Sequence, residues 1–283
     1  MNQRQPVSIT LQLDHMAYGG DAIGRFEGKA IFVPGGIAGE TVRVEIVTEH
    51  DRFSRARLIE VLEASADRVT PRCPHFGFEA SACGGCQWQH IAYEAQLRFK
   101  TQIVREQFER IGRIAGVFVH DTRPSPQVWA YRNRIRLSKD TQGALGFQAT
   151  RSNRVVPITV CHIVERPILE WLQTGESAEV QVKLEDDQVD VCLSNLQLST
   201  PNIQFQLSPD SFFQVNSSLI SALIEQVVAQ LNPRISETIL DAYCGVGLFT
   251  RLIAPRANRV IGIESNPSAV KDAKQNLSEF SNV

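Results

Sequence analysis

Short runs of alternating apolar and polar residues occupy the first sixty or so positions of the chain. Such period-two alternation, interrupted by glycine-rich and polar turns, predicts β-strands that bury one face. The predicted strands are Val7–Leu13, Lys29–Val33, Thr41–Val47 and Ala56–Leu62. Four or five short antiparallel strands predict a small β-barrel over residues 1–65. Barrels of this kind bind oligonucleotides or act as structural adaptors, and the pattern leaves both roles open.

Residues 66–205 combine one helix with further strands. Apolar residues recur every three to five positions from Ile91 to Ile111, which predicts an amphipathic helix. Strand patterns follow at Tyr131–Leu137, Ala144–Phe147, Val155–Thr159, Val180–Leu184 and Val189–Ser194. We therefore expect a central domain rich in β-structure.

Residues 206–283 change to an alternation of helix and buried strand. Helical spacing from Leu219 to Leu231 precedes a buried strand, Thr238–Tyr243, a glycine turn and a second strand that ends at Glu264. A final helix is expected at about Ser268–Phe280. This order predicts the start of a Rossmann-like, doubly wound α/β domain. Two parallel strands would leave one face of the sheet bare.

The turn after the first of these strands carries a nucleoside-binding pattern. Gly245 and Gly247 would let the backbone approach a ligand, and Glu264 follows Gly247 by seventeen residues, where its carboxylate could accept hydrogen bonds from both ribose hydroxyls. Thr250 stands where a dinucleotide fingerprint has its third glycine. The turn therefore favours S-adenosylmethionine over NAD. Cys244 lies in the turn with no nearby histidine or lysine to activate it as a nucleophile.

The six cysteines suggest a metal or cluster site rather than disulfides, because three of them fall within fourteen residues and the chain shows no signal peptide. Cys73, Cys83 and Cys86 are spaced C-x9-C-x2-C, and Cys161 follows after the basic strands. Four thiolates suit a [4Fe-4S] cluster or a tetrahedral zinc, and the spacing does not separate the two. Unligated buried thiols are the remaining alternative.

The net charge of −2 hides a strong asymmetry along the chain. Residues 96–155 carry twelve Lys/Arg against four Asp/Glu, whereas residues 162–190 carry two against eight. Arg132, Arg134 and Arg136 alternate onto one face of a predicted strand, which makes them a candidate phosphate-binding row. The alternative is that they pair with the acidic segment 165–190. No apolar run is long enough to predict a membrane span, and we expect a cytoplasmic protein.

Several stretches in fixed order resemble the uracil-C5 RNA methyltransferases, in particular the bacterial 23S rRNA branch with a TRAM domain and a [4Fe-4S] centre. They are Ala22–Arg25, Phe32–Gly35, Gly39–Glu40, Cys83–His90, Tyr131–Asn133, Ser211–Asn216 and Asp241–Phe249. The resemblance spans essentially the whole chain. It implies three domains: an OB-like TRAM barrel at 1–65, an iron–sulfur domain at 66–205, and an incomplete class I methyltransferase domain at 206–283.

The resemblance also implies roles for single residues. Gln214, Tyr243 and Glu264 would contact S-adenosylmethionine. Cys73, Cys83, Cys86 and Cys161 would hold the cluster, which favours iron–sulfur over zinc. The nine-residue gap after Cys73 is longer than the family's usual spacing, so among the three clustered cysteines Cys73 departs most from the family pattern. The implied partner is RNA, rRNA rather than tRNA, and the implied state is a monomer.

Methylation of uracil carbon 5 needs a thiolate that adds to carbon 6 and a base that removes the carbon-5 proton. The resemblance places both beyond Val283. We therefore expect a C-terminally truncated or split chain that is inactive in methyl transfer by itself. The alternative is an iron–sulfur RNA-binding module whose methyltransferase domain is vestigial.

Overall fold

The computed structural model describes residues 8–198 and 202–283, so the predicted strand start at Val7 lies outside the described residues. The chain divides into two compact units. The first unit comprises residues 1–124 and 148–156, and the second comprises residues 125–147 and 157–283. These units do not coincide with the three predicted domains, 1–65, 66–205 and 206–283. That division stays a prediction.

The predicted barrel is present in the first unit. It is closed, with the strand order β1-β2-β3-β5-β4. The strands are β1 Ser8–Met16, β2 Ala22–Phe26, β3 Lys29–Val33, β4 Thr41–Glu49 and β5 Phe53–Glu63. One expectation was wrong, because β3 and β5 pair in parallel while the other neighbours are antiparallel. The parallel pair closes the barrel, which leaves no free sheet edge.

β2 escaped the sequence pattern because it is short and contains Gly24. A side chain at this position would meet the opposite strand, since a Cβ on Gly24 would lie 2.3 Å from the Gln12 carbonyl oxygen. Glycine is therefore required where β1 and β2 approach each other closely.

The barrel core extends into helix α1, Tyr93–Glu106. Ile91, Ala95 and Phe99 belong to the same buried cluster as the inward residues of β1 and β4, so the barrel and this helix share one core. The helix ends before the predicted Ile111 in a π-helical turn, in which the Gly112 N–H donates to the Gln107 carbonyl at 2.9 Å.

A five-stranded sheet in the order β8-β7-β6-β10-β9 confirms the β-rich centre of the chain. Its strands are β6 Arg134–Lys139, β7 Leu145–Gln148, β8 Val155–Pro157, β9 Val180–Glu185 and β10 Gln188–Leu193. Helix α2, Arg166–Thr174, lies between β8 and β9 in sequence and ends at Gly175, whose φ of 80° is left-handed. A hairpin of β11, Asn195–Leu198, and β12, Ile203–Gln206, was not predicted.

The second unit ends in the predicted α/β segment. It consists of α3 Ile220–Leu231, β13 Thr238–Ala242, α4 Leu248–Ile253, β14 Arg259–Ile263 and α5 Pro267–Asn276. β13 and β14 pair in parallel, and Val260 packs on one face in a cluster with Ile253 of α4. On the other face Leu240, Ile261 and Ile263 are exposed, as the two-strand prediction required.

None of the helices in the described parts of the chain has both the length and the hydropathy that a bilayer-spanning segment needs.

Candidate functional site

The turn between β13 and α4 holds three residues in left-handed backbone conformations. Tyr243, Gly245 and Gly247 have φ values of 65°, 56° and 86°. A non-glycine residue rarely adopts this conformation, so Tyr243 marks a strained position, and such positions gather at functional sites. Its side chain is 88% exposed. The turn therefore presents an aromatic ring and bare backbone together.

The two glycines have different reasons to lack a side chain. A Cβ on Gly247 would lie 2.9 Å from the Leu277 side chain, so Gly247 is needed for packing as well as for its φ. A Cβ on Gly245 would meet only the Phe212 carbonyl oxygen, at 3.8 Å. Gly245 thus leaves open space beside the backbone, where a ligand can approach.

The carboxylate of Glu264 lies against this turn, at the end of β14. One oxygen accepts hydrogen bonds from the backbone N–H groups of Ser265 at 2.7 Å and Asn266 at 2.8 Å. The other accepts from the Gly245 N–H at 3.0 Å. These N–H donors, that of Asn266 foremost, lower the pKa of Glu264 below its usual value. The site therefore holds a fixed anionic acceptor next to the glycine turn.

Helix α5 holds a second segment, residues 206–216, next to the turn. The buried Asp272 carboxylate accepts from the Ser208 N–H at 3.0 Å and from the Ser208 hydroxyl at 2.7 Å, and it also accepts from the Ser211 hydroxyl. One helical turn later, Asn276 bonds both the N–H and the carbonyl of Gln206. A buried carboxylate needs such donors, and here they fix the backbone that leads to Gln214.

Gln214 lies on this held segment and is half-buried. Its backbone carbonyl accepts from the Asn133 side-chain amide at 2.8 Å, and the neighbouring Val215 carbonyl accepts from the Asn133 N–H at 3.0 Å. Phe212, two residues earlier, borders Gly245. The segment that carries Gln214 therefore borders the glycine turn at Phe212.

The three clustered cysteines lie on one loop of the first unit. Cys83 donates its N–H to the His75 carbonyl at 2.8 Å, and its sulfur accepts from the Gly85 N–H at 3.4 Å. Burial raises the pKa of the Cys83 thiol, and the nearby Cys86 and Cys73 add to the effect. Cys161 is buried in the second unit. Within residues 8–198 and 202–283, no group of three or more His, Cys, Asp or Glu side chains is arranged to hold a metal ion.

Comparison with known proteins gives two domain matches. The family described as tRNA (uracil-5-)-methyltransferase matches residues 163–283, and the TRAM domain matches residues 2–59. A protein named 23S rRNA (uracil(1939)-C(5))-methyltransferase RlmD, from Shewanella amazonensis, is 30% identical over 96% of this chain and 73% of its own length. A protein of the same name from Shewanella frigidimarina is 28% identical over 98% of this chain and 74% of its own length.

The chain belongs to the uracil-C5 RNA methyltransferase family. A solved structure, a tRNA (uracil-54, C5)-methyltransferase from Pyrococcus abyssi in complex with S-adenosyl-L-homocysteine, superposes with a TM-score of 0.66 at 23% identity. The superposed region covers 95% of this chain and 76% of the Pyrococcus abyssi chain, so the two proteins share a fold. The recognition of the family from sequence motifs is confirmed.

The three arginines that were predicted to form a phosphate-binding row all have protein partners. Arg134 donates to the carbonyls of Ser211 at 2.6 Å and Ser208 at 2.7 Å. Arg136 pairs with Asp190 at 2.9 Å, so it follows the alternative in which the basic strand meets the acidic segment. Arg132 precedes the strand and donates to the Arg134 carbonyl. RNA binding by this row stays a prediction.

Sequence reasoning did not predict the polar contacts that hold the glycine turn and its neighbouring segments. Thr250 is fully buried, and its hydroxyl donates to Asp241 at 2.6 Å, which ties α4 to β13. Asp272 and Asn276 were missed as well. The signal was available, because both lie on the buried stripe of α5 with Ala269 and Ala273, where a polar residue needs a partner.

Proposed function

We propose that this chain supplies the cofactor-binding and RNA-binding parts of an enzyme that methylates carbon 5 of uracil in RNA, with 23S rRNA as the substrate. The observation that carries the proposal is the Glu264 carboxylate facing the Gly245 N–H at a turn with open space on the glycine. Family membership supports the reaction class. We further propose a monomer that acts in the cytoplasm.

The donor set suits S-adenosylmethionine, which supplies an electrophilic sulfonium methyl group when bound. Glu264 would accept hydrogen bonds from the ribose hydroxyls, and Gly245 and Gly247 would let the backbone approach the nucleoside. Gln214 and Tyr243 would flank the ligand from the neighbouring segment and the turn. The residue in the place of the third dinucleotide glycine, Thr250, is engaged with Asp241, which supports a nucleoside rather than a pyrophosphate ligand.

Cys244 is not proposed as the nucleophile, although it lies in the turn. Burial raises the pKa of its thiol, and the carboxylates of Asp241 and Glu264 raise it further. A nucleophilic cysteine needs the opposite environment, because the thiolate is the reactive form. Cys244 therefore serves as a small packing residue: its sulfur would lie 3.0 Å from a Cβ placed on Gly262.

We also propose that Cys73, Cys83, Cys86 and Cys161 hold a [4Fe-4S] cluster, with zinc as the alternative. The support comes from the soft thiol donors of the first unit and from the Gly85 N–H that points at the Cys83 sulfur. No step of the methyl transfer needs the cluster, so its proposed role is to hold the loop and position RNA. Anaerobic iron and sulfide analysis tests this, with loss of iron expected in C86S but not in C192A.

The cofactor proposal is tested by calorimetric titration of the full chain with S-adenosylhomocysteine and, separately, with NADH. We expect saturable binding of the first and none of the second. Absence of S-adenosylhomocysteine binding would overturn the proposal and favour an RNA-binding module with a vestigial methyltransferase domain. A methyl-transfer assay on unmodified rRNA then tests the expectation that this chain alone is inactive.

A further inference from the structure

The outer surface of the barrel carries a group of aromatic and basic side chains that the cofactor site does not use. Parallel pairing sets Phe32 opposite Arg55 and Ala30 opposite Phe53. Ser54, which lies between Phe53 and Arg55 in β5, is buried. Because side chains alternate along a strand, Phe32, Phe53 and Arg55 share the outer face.

The aromatic rings of this face form a short platform. The Phe32 and Phe53 rings meet edge to face with centroids 5.6 Å apart, and the His50 ring stacks on Phe53 at 4.4 Å. The Arg55 guanidinium lies over both phenylalanines, 5.6 Å and 5.9 Å from their centroids. Flat rings next to a delocalised cation are the arrangement on which an unpaired base can stack.

Two arginines of this face share one carboxylate. The guanidinium groups of Arg55 and Arg151 form ion pairs with the same carboxylate oxygen of Asp21, at 3.0 Å and 2.7 Å. Two guanidinium groups that share one carboxylate leave a surplus positive charge. Elsewhere on the barrel Arg43 has its own partner, Glu60, at 3.1 Å. The excess cation therefore lies beside the aromatic platform, where a phosphate could be bound.

The loop that supplies Asp21 is held in place, and it presents a further ring. Trp88 donates its indole N–H to the Gly20 carbonyl at 2.9 Å, and the Ala17 N–H donates to the Asp21 carbonyl at 2.8 Å. Tyr18, at the tip, is 83% exposed. A fixed loop that exposes a tyrosine loses little conformational entropy when a ligand binds.

We propose that this face binds an unpaired RNA segment, with a base stacked on the His50–Phe53 pair or on Tyr18 and a phosphate bound by Arg55 and Arg151. The inference rests on the proposed function for its choice of RNA as the partner. Only unpaired bases expose the flat surfaces that such rings contact, so single-stranded RNA is preferred over duplex. We name the group formed by Tyr18, Phe32, His50, Phe53, Arg55 and Arg151 the platform face.

The experiment measures binding of a fluorescent single-stranded RNA of about 12 nucleotides to the full chain by anisotropy, over a series of salt concentrations. The variants are Y18A and R151Q, both at exposed positions, and the matched control is R43Q. We expect about tenfold weaker binding for each platform variant and a salt slope reduced by about 0.7 for R151Q. R43Q should change neither quantity, and thermal unfolding should be the same for all three.

The same RNA annealed to its complement should bind at least several-fold more weakly than the single strand. If Y18A and R151Q bind as R43Q does, or if duplex and single strand bind equally, the platform face is not the RNA site, although the proposed function stands. If the unmodified chain binds no RNA while still binding S-adenosylhomocysteine, the inference and the RNA part of the proposed function both fall. The inference is also overturned if Y18A and R151Q weaken binding of the chain to lipid vesicles or to a protein but not to RNA.

Discussion

Single residues at strand ends create the chemistry of the proposed cofactor site. Glu264 is the clearest case, because three backbone N–H groups converge on its carboxylate and hold it ionised. Residues at the carboxyl ends of parallel strands face the ligand crevice of such sheets. The charge and the position of this side chain therefore act together.

The E264Q variant should bind S-adenosylhomocysteine about 10- to 100-fold more weakly, since a charged acceptor is replaced by an amide that accepts less strongly from the ribose hydroxyls. Calorimetric titration measures the change. E237Q is the control, because the Glu237 carboxylate lies at the opposite end of β13, where it accepts from the Arg234 N–H. Equal affinities for E264Q and the unmodified chain would remove Glu264 from the site.

His90 makes the first unit sensitive to acid. The ring is buried between Phe76 and Phe78, and among the residues that the structure describes neither ring nitrogen has a hydrogen-bond partner of normal geometry. Burial, and then the nearby Arg68, lower the pKa of His90 to about 4. Its unfolded pKa is about 6.5. Between these values the unfolded chain binds a proton that the folded chain does not.

The free energy of unfolding should therefore fall as the pH is lowered from about 6.5 to about 4, by up to about 3 kcal/mol through this group. Denaturant titrations at several pH values measure it. H90Q should lose this part of the pH dependence, whereas H120Q, at an exposed position, should keep it. Parallel pH profiles for H90Q and H120Q would contradict the assignment.

Among the elements, α5 decides the conformation of the segment that carries Gln214. Its Asp272 is buried and accepts three hydrogen bonds from Ser208 and Ser211. Amphipathic patterning predicted a helix here but not its partner, because the contact joins positions 64 residues apart in the chain. Periodicity reports only which face of a helix is buried.

D272A should lower the free energy of unfolding of the second unit by about 3 kcal/mol, because it leaves buried donors without an acceptor. It should also weaken S-adenosylhomocysteine binding, since the backbone before Gln214 loses its anchor. Chemical denaturation and calorimetry measure the two effects. K271A, on the exposed side of the same helix, should change neither, and a D272A chain as stable as K271A would show that the network is dispensable.

Element prediction succeeded where a strand alternates cleanly and failed where local pattern is weak. β1 and β3 alternate between core and solvent, β4 and β5 do so over their first four residues, and all four strands were found. β2 was not, because Gly24 interrupts its pattern, and its place is set by close contact with β1. The parallel pairing of β3 with β5 depends on barrel closure, which no local pattern encodes.

At the scale of the whole molecule, stability should be uneven. The barrel is closed and shares its core with α1, whereas the β13–β14 sheet has two strands and an exposed apolar face. Isolated two-stranded sheets are marginal, and amides with little burial around them open at low free energy.

Hydrogen exchange of the full chain should therefore be slowest in β1 and β4 and markedly faster in β13 and β14. Mass spectrometry of peptides from each region measures the difference. S-adenosylhomocysteine should slow exchange in β13 and β14 but not in the barrel. Slower exchange in β13 than in β1, without ligand, would contradict this ranking.

Three expectations for the whole molecule stay predictions: the three-domain division, the iron–sulfur cluster and the inactivity of this chain alone. Each depends on something that local pattern does not carry. The cluster needs Cys161, which lies 75 residues beyond Cys86 and in the second unit.

The sequence by itself determined the family, the barrel and the cofactor turn. Each is written in short stretches, since strand alternation and a strand–glycine–helix turn need only neighbouring residues. The tertiary structure decided which groups the basic residues pair with. Strand register sets Arg136 opposite Asp190, and folding brings Arg151 to Asp21 across 130 positions. Electrostatic partners are chosen by distance in space, so a count of basic residues along the chain does not show which arginines already pair with protein groups.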